Sequence, residues 1–238
     1  TTIYPREPDM SANPFAALEC LTLENPNAGP SDACVIWLHG LGASCNDFAN
    51  LLPQLSLSAG ARIRFVFPQA PQLAVTVNGG YQMPAWYDLQ SLDVDRKFNA
   101  QHLAQASVAI NELIEQQVAA GITSERILMA GFSQGGAVAY DVALNCTRPL
   151  AGLMALSTYF ATSDTCTFSA ANKSLAISIQ HGLQDEVVLP ELAVRAESVL
   201  QAQGYQFDSH RYPMAHEVCG EQISDISAFI NRCLPVLG

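Results

Sequence analysis

Runs of apolar residues alternate along this chain with stretches in which apolar residues recur every three or four positions. The apolar runs at 33–38 and 127–130 have the length of buried strands, and strands are also predicted at 63–67, 150–156 and 175–180. Two further segments predict strands, 18–23 at the sheet edge and 205–212. Helical spacing is found at 46–55, 103–118, 137–144, 191–203 and 221–234. Strands that alternate with helices predict an α/β fold with a mostly parallel central sheet and helices on both faces.

One segment, 69–99, breaks this alternation. Pro71, Pro84 and the Asn-Gly-Gly sequence at 78–80 interrupt it, yet it is rich in aromatic and aliphatic residues. A long segment without regular structure inside a compact domain is usually functional or disordered, and the aromatic content argues against disorder. We therefore predict a lid or pocket wall inserted in a single domain, 1–238, with a packed surface loop as the alternative.

The strongest local signal is the sequence Gly131-Phe-Ser133-Gln-Gly135 between the predicted strand 127–130 and the predicted helix 137–144. A G-x-S-x-G between a strand and a helix is typical of a nucleophile elbow, a tight turn that presents a serine above the sheet edge. The glycines on both sides let the strand and the helix approach closely. The pattern predicts that Ser133 is a nucleophile. The alternative is a serine that only caps the helix.

A serine hydroxyl needs a neighbouring base to take its proton. His216 lies in the loop between the last predicted strand and the last helix, where an imidazole returns to the carboxyl edge of the sheet. His39 and His181 follow strands and are expected to shape loops, while His102 in a helix and His210 in a strand are expected to be structural or solvated. We predict that His216 is the base.

The acid that orients this histidine is expected between the serine and the histidine in the chain. Asp185 follows a predicted strand by a few residues, and a carboxylate there can accept the imidazole N–H. Asp141 lies in the helix after the elbow, Asp164 in a polar connection and Asp208 in a strand. Asp185 is therefore the predicted acid, with Glu186 as the alternative.

An oxyanion formed at the serine requires preorganised hydrogen-bond donors. The elbow geometry supplies the backbone N–H of Gln134. The second donor is expected in the His39-Gly-Leu41-Gly sequence after the first long strand, and Leu41 N–H is the predicted one.

Together these motifs resemble the acyl-protein thioesterase/carboxylesterase group of α/β-hydrolases from about residue 34 to the C-terminal end. The residues that carry the resemblance are Trp37-Leu-His-Gly-Leu-Gly42, Asn78-Gly-Gly, Met83-Pro-Ala-Trp-Tyr-Asp88, Gly131-Phe-Ser-Gln-Gly-Gly136, Leu156-Ser-Thr-Tyr159, His181-Gly, Asp185-Glu-Val-Val188 and Met214-Ala-His216. The resemblance implies an α/β-hydrolase fold, a triad of Ser133, Asp185 and His216, and an oxyanion hole at Leu41 and Gln134. It also implies an acyl groove beside the 69–99 segment, for which we expect the lining residues Val75, Met83, Trp86, Leu183 and Val188.

The composition of the chain argues against several classes of binding partner and cellular location. A net charge of −11 argues against a nucleic-acid partner and against electrostatic docking on an anionic membrane. The seven cysteines show neither C-x-x-C nor zinc-finger spacing, which favours reduced thiols in a cytoplasmic protein. No signal peptide, lipid-anchor motif or apolar run of membrane-spanning length is expected.

The predicted chemistry is two-step acyl transfer through an acyl-enzyme, with no metal or organic cofactor. The favoured substrates are carboxylic esters of short to medium acyl chains. The alternative is deacylation of S-acylated proteins or lysophospholipids with long chains. A third hypothesis, of another class, is a catalytically inactive hydrolase fold that serves as a binding module. The resemblance is also compatible with a homodimer.

Overall fold

The computed structural model describes residues 13–24 and 29–237. The strands are β1 (Cys20–Leu23), β2 (Ala33–Leu38), β3 (Ile63–Pro68), β4 (Gln72–Val75), β5 (Tyr81–Pro84), β6 (Ile127–Phe132), β7 (Gly152–Leu156), β8 (Ile177–Gly182) and β9 (Asp208–Tyr212). The helices are α1 (Asn46–Ala49), α2 (Ala100–Ala119), α3 (Gln134–Asn145), α4 (Pro190–Ala202) and α5 (Gly220–Cys233).

Seven of these strands form the central sheet, in the order β1-β3-β2-β6-β7-β8-β9. Only the β1–β3 pair among them is antiparallel, and the other five pairs are parallel. All six residues of β2 are buried, as expected for a strand covered on both faces. The predicted α/β-hydrolase fold, with a mostly parallel sheet, is confirmed.

Two apolar cores lie on the two faces of this sheet. One core joins the sheet to α2, α3 and α4, and it includes Ile110, Tyr140 and Leu200. The other joins the sheet to α1 and α5, and it includes Phe48 and Ile230. Helices on both faces leave the carboxyl edge of the parallel strands as the place where loops converge, which is where sites form in such sheets.

Several predicted elements are shorter in the structure, and two of them differ most. The helix predicted at 46–55 ends at Ala49, and a separate 3₁₀ turn follows at Leu52–Gln54. Pro53 explains the break because it has no N–H to donate and its ring clashes with the preceding helical turn. The strand predicted at 205–212 begins only at Asp208.

The 69–99 segment is more regular than its sequence suggests. It contains the antiparallel hairpin β4–β5, and farther along an antiparallel bridge pairs Leu89 with Phe98. Gly79 and Gly80 take positive φ angles of 66° and 79°, so the Asn-Gly-Gly sequence makes the turn of the hairpin. The prediction that this segment lacks regular structure is therefore wrong.

None of the helices within 13–24 and 29–237 combines the length and the apolar character needed to cross a membrane.

Candidate active site

Ser133 occupies the turn between β6 and α3. Its backbone has φ 53° and ψ −121°, which L-residues rarely adopt and which costs about 1–3 kcal/mol. Its N–H donates to Leu156 O at 3.0 Å, and its C=O accepts from Thr158 Oγ1 at 2.6 Å. The Ser133 side chain makes no capping hydrogen bond to α3. The strained turn is therefore held from β7 and the loop after it, and the hydroxyl is not used as a helix cap.

The glycines around Ser133 are required by close backbone contacts. A Cβ on Gly131 would lie 2.4 Å from Gly135 O, and a Cβ on Gly135 would lie 2.4 Å from His39 O. Real Cβ atoms do not approach oxygen so closely. The G-x-S-x-G sequence thus lets α3 begin directly against β6 and against the loop after β2, as the sequence predicts.

Asp185 lies in the loop after β8 and is 2% exposed. One carboxylate oxygen accepts the N–H groups of Val187 at 2.9 Å and Val188 at 2.8 Å, and the other accepts from His216 Nδ1 at 2.7 Å. Burial by itself raises the pKa of Asp185, but the hydrogen bonds from His216 and the two amides outweigh it and hold the pKa below its usual value. Glu186, the alternative acid, is exposed.

His216 is oriented by this contact. Because the carboxylate can only accept, Nδ1 carries the proton and Nε2 is left with a free lone pair. The imidazole packs on the ring of Phe132, with 4.8 Å between the ring centroids. This is the tautomer that a general base toward a serine requires.

The loops that carry Asp185 and His216 are joined by their backbones. Leu183 N–H donates to Tyr212 O at 2.8 Å, and Gln184 N–H donates to Met214 O at 3.0 Å. A Cβ on Gly182 would lie 2.4 Å from the carbonyl oxygens of Met214 and Ala215. The contact between the two loops therefore continues the β8–β9 pairing beyond the ends of the strands.

Ser133 and His216 line one cavity of about 430 Å³. No hydrogen bond joins the hydroxyl of Ser133 to the imidazole within the part of the chain that the structure describes. In ligand-free enzymes the serine–histidine contact is often long and tightens only when substrate binds. The geometry places Ser133 and His216 in the lining of one cavity, and Asp185 is bonded to this histidine at 2.7 Å.

The residues of the two predicted oxyanion donors also line this cavity. Leu41 and Gln134 both line the cavity, and neither backbone N–H has a protein acceptor among the hydrogen bonds of the described ranges. The loop that holds Leu41 is fixed by Gly42 N–H, which donates to Pro84 O at 2.8 Å. Two adjacent free amides beside a serine are suited to stabilising an oxyanion.

The other histidines do not compete for the role of base. His39 Nε2 accepts from Ala70 N–H at 3.1 Å, so its Nδ1–H donates to Gly40 O at 2.7 Å. His181 Nε2–H donates to Val188 O at 2.8 Å. This bond closes the loop 183–188 that carries Asp185, called the acid loop below. Burial lowers the pKa of both His39 and His181. Both are neutral supports of loops.

His102 and His210 are partners of other elements. His102 Nδ1 accepts from Asp88 N–H at 3.4 Å in the first turn of α2. His210 lies on β9, 3.3 Å from Asp225 on α5. Neither contributes to the cavity that holds the serine.

Comparison with known proteins identifies the family of this chain. Residues 19–234 match the family described as phospholipase/carboxylesterase. The chain belongs to this family. As a phospholipase/carboxylesterase family member it hydrolyses carboxylic esters or thioesters.

Relatives of this esterase include two fungal proteins. Acyl-protein thioesterase 1 of Gibberella zeae is 32% identical over 221 residues, which cover 88% of this chain and 94% of that protein. Acyl-protein thioesterase 1 of Neurospora crassa is 31% identical, covering 88% of this chain and 90% of that protein. Among solved structures, SOBER1 of Arabidopsis thaliana is 27% identical with a TM-score of 0.77, over 85% of this chain and 99% of that chain. Acyl-protein thioesterase 2 of Zea mays has the same fold, at 23% identity with a TM-score of 0.77, over 91% of this chain and 99% of that chain.

The wall of the esterase cavity differs from the expected one. Its apolar side chains are Leu41, Ala43, Phe48, Leu51, Leu89, Leu92, Phe132, Tyr159, Val187 and Val218. None of the five side chains expected to line the acyl pocket is among the residues that line it.

Each of these five has another position. Val75 and Trp86 are fully buried in the core, and Trp86 Nε1–H donates to His39 O at 2.8 Å. Met83, on β5, is contacted by Asn78 Nδ2 at 3.2 Å. Leu183 is 58% exposed and Val188 is buried beside the acid loop. Which side chains point into a cavity depends on the path of the backbone, which the resemblance does not give.

The 69–99 segment nevertheless contributes to the esterase cavity through its second half. Leu89, Leu92 and Arg96 line the cavity, whereas β4 and β5 do not. Within this segment the cavity is therefore lined from 89–96 and not from the hairpin.

A support that the sequence analysis missed is the side chain of Gln134. Its Oε1 accepts from Trp86 N–H at 2.8 Å, and its Nε2–H donates to Tyr87 O at 2.8 Å. The residue after the serine therefore fixes the inserted segment as well as offering its amide. The sequence signal for such a role is a polar residue at the start of an otherwise apolar helix, since a buried polar group needs hydrogen-bond partners.

Within the described residues of the esterase, no group of three or more His, Cys, Asp and Glu side chains is placed to hold a metal ion. All seven cysteines are free thiols.

Proposed function

We propose that this protein is a carboxylesterase for short to medium acyl chains that acts through Ser133, His216 and Asp185. The observation that carries the proposal is the Asp185–His216 hydrogen bond of 2.7 Å in a cavity that also exposes a strained elbow serine. Each component alone has structural explanations. Their convergence from three different loops at one sheet edge supports catalysis.

The first step is attack on the ester. His216 Nε2 takes the proton from Ser133 Oγ as the oxygen bonds to the carbonyl carbon, and Asp185 stabilises the imidazolium. The carbonyl electrons move onto oxygen, where the amides of Leu41 and Gln134 donate to the oxyanion. Each such donor contributes about 3 kcal/mol to the transition state.

The second step regenerates the enzyme. The imidazolium gives its proton to the departing alcohol or thiol, and the acyl group stays on Ser133. Water, deprotonated by His216, then attacks the acyl-enzyme. The acid leaves and the serine recovers its proton.

The preference for shorter chains is supported by the walls of the cavity. Arg96 and Tyr159 line the catalytic cavity and also a neighbouring cavity of about 410 Å³ between the inserted segment and α4. The guanidinium lies over the tyrosine ring, 4.9 Å from its centroid. Because this pair lies between the two cavities, we infer that it ends the catalytic cavity on that side and limits the length of an acyl chain.

The second candidate function is hydrolysis of long-chain thioesters or lysophospholipids. It is favoured by the relatives named acyl-protein thioesterase. A series of p-nitrophenyl esters of increasing length, measured beside an acyl-thioester peptide, separates the two. We expect kcat/KM to be greatest for short to medium esters. A maximum at the longest chains, or on the peptide, would favour the second function.

The triad itself is tested with Ser133→Ala. We expect kcat to fall by a factor of about 10³ or more because the nucleophile is removed. A fluorophosphonate probe should add its mass to the wild type at Ser133 and not to the variant. Intact wild-type protein that never gains the probe mass would support the inactive binding module instead.

We also propose that the protein functions in the cytoplasm and forms a homodimer. Seven free thiols support a reducing compartment. Exposed apolar side chains of Leu92, Leu183 and Val187 support self-association near the cavity mouth. Light scattering during size-exclusion chromatography would show twice the chain mass, and a single-chain mass would contradict the dimer.

A further inference from the structure

Arg96 differs from the other arginines within 13–24 and 29–237. Each of the others has a carboxylate oxygen within 4.0 Å; the pairs are Arg62–Asp32, Arg64–Glu24, Arg126–Asp32, Arg148–Glu115, Arg195–Asp95, Arg211–Glu197 and Arg232–Asp208. Arg96 has no such partner in the described part of the chain. In a protein with twice as many acidic as basic residues, a single arginine without a carboxylate partner calls for a local explanation.

The groups that the Arg96 side chain contacts are neutral. Its Nη2–H donates to Val187 O, and its guanidinium stacks over the ring of Tyr159, 4.9 Å from the centroid. The Nε atom is buried and has no hydrogen-bond partner in the described structure. Guanidinium has five N–H donors, and these contacts leave most of them unused.

The position of Arg96 is the second observation. It lines the cavity that holds Ser133 and His216, on a wall whose other side chains include Leu89, Leu92 and Tyr159. Asp47 also lines this cavity, but no oxygen of it lies within ion-pair distance of Arg96 among the described contacts. A cation on a largely apolar wall is costly unless an anion joins it. Its planar donor fork matches the two oxygens of a carboxylate or a phosphate.

We propose that Arg96 is a specificity residue that binds an anionic oxygen group of the substrate. On this basis the enzyme prefers esters that carry a carboxylate or a phosphate over neutral esters of the same size. The proposal rests on the proposed ester hydrolysis at Ser133 and adds the chemical class of substrate. Catalysis of neutral esters does not depend on it.

The alternative role for Arg96 is purely structural, because its bond to Val187 O ties the inserted segment to the acid loop. A structural tie affects all substrates alike, whereas an anion site affects only charged ones. The discriminating quantity is therefore the ratio of kcat/KM for an anionic ester to that for its neutral counterpart.

The experiment compares two pairs of substrates. Monomethyl esters of dicarboxylic acids of increasing length, against methyl esters of the matching monocarboxylic acids, place the anion on the acyl side. Acyl esters of 3-hydroxy-4-nitrobenzoate, against o-nitrophenyl esters, place it on the leaving group. Wild type, Arg96→Met, Arg96→Lys and Arg195→Gln are measured with each pair at low and high salt.

We expect Arg96→Met to lower the anionic-to-neutral ratio about tenfold or more for one substrate pair, mainly through KM, since a hydrogen bond to a charged group is lost. Arg96→Lys should retain part of the preference, and added salt should weaken it. Arg195→Gln is the matched control: it removes an arginine that binds Asp95 on the same segment but does not line the catalytic cavity. It should leave the ratio unchanged.

An unchanged ratio in Arg96→Met for both substrate pairs would overturn the inference, as would an equal loss on anionic and neutral esters. Failure of the wild type to hydrolyse any of these esters would instead count against the proposed function.

Discussion

Replacing Asp185 by Asn tests the acid–base assignment most directly. Asparagine has nearly the same shape and keeps one oxygen to accept the amides of Val187 and Val188. At the oxygen that now contacts His216, it places an NH₂ donor 2.7 Å from Nδ1. A donor there favours the tautomer with the proton on Nε2, which then has no lone pair to take the proton of Ser133.

The expected effect is a fall in kcat of about 10⁴-fold, the size that a wrong tautomer produces in an analogous triad. This corresponds to about 5.4 kcal/mol of transition-state stabilisation. The fold should be less affected, because only a charge-assisted hydrogen bond becomes neutral. We expect the free energy of unfolding to fall by about 1–3 kcal/mol.

Steady-state hydrolysis of a short p-nitrophenyl ester measures the first quantity, and denaturant unfolding measures the second. Glu186→Gln is the matched control, since it removes an exposed carboxylate from the neighbouring position. It should keep most of the activity. The reasoning is refuted if Asp185→Asn retains a tenth or more of wild-type kcat while folded, or if Glu186→Gln loses as much as Asp185→Asn.

Three further predictions concern the supports of the site. Gly135→Ala places a Cβ 2.4 Å from His39 O, so we expect at least about 1–3 kcal/mol of destabilisation by overpacking together with reduced kcat, and an unchanged melting temperature would contradict this. Gln134→Ala leaves the Trp86 N–H and the Tyr87 C=O on the inserted segment unpaired, so the free energy of unfolding should fall by about 2–4 kcal/mol. Denaturant unfolding measures this loss. A loss below about 0.5 kcal/mol, the level of an ordinary surface substitution, would show that water replaces the side chain. Burial holds the pKa of His39 and of His181 below the value in the unfolded chain. The unfolded chain therefore binds protons before the folded protein does as the pH falls below about 6.5. The free energy of unfolding should decline there by up to about 1.4 kcal/mol per pH unit for each histidine. Identical unfolding midpoints at neutral pH and one unit below 6.5 would argue against neutral buried histidines.

The central sheet, and the placing of Ser133, Asp185 and His216 at its carboxyl edge, could be predicted because their signals are local or follow chain order. A strand buried on both faces must be continuously apolar, as 33–38 is. The strained turn at Ser133 needs small neighbours, and these are visible as glycines. Parallel strands bring their carboxyl ends to one edge, so residues just after β8 and β9 meet without any knowledge of packing.

The cavity wall could not be predicted in the same way. Leu89, Leu92 and Arg96 line the same cavity as the serine because of how the inserted segment is anchored, and the anchors are distant in sequence. Gln134 holds this segment from a position 47 residues away from Tyr87. Val75 and Trp86, expected at the groove from the resemblance, are instead buried in the core, which takes large apolar residues wherever the chain allows.

The backbone contacts between the loops after β8 and β9 have a practical consequence for building hybrids of this fold. With Gly182 pressed against Met214 and Ala215, and with Gln184 N–H bonded to Met214 O, these two loops form one module. Exchanging either loop alone with that of a relative would disrupt the backbone contacts between the two loops. A transplant that carries both loops together, with the ends of their strands, is the unit that should transfer intact.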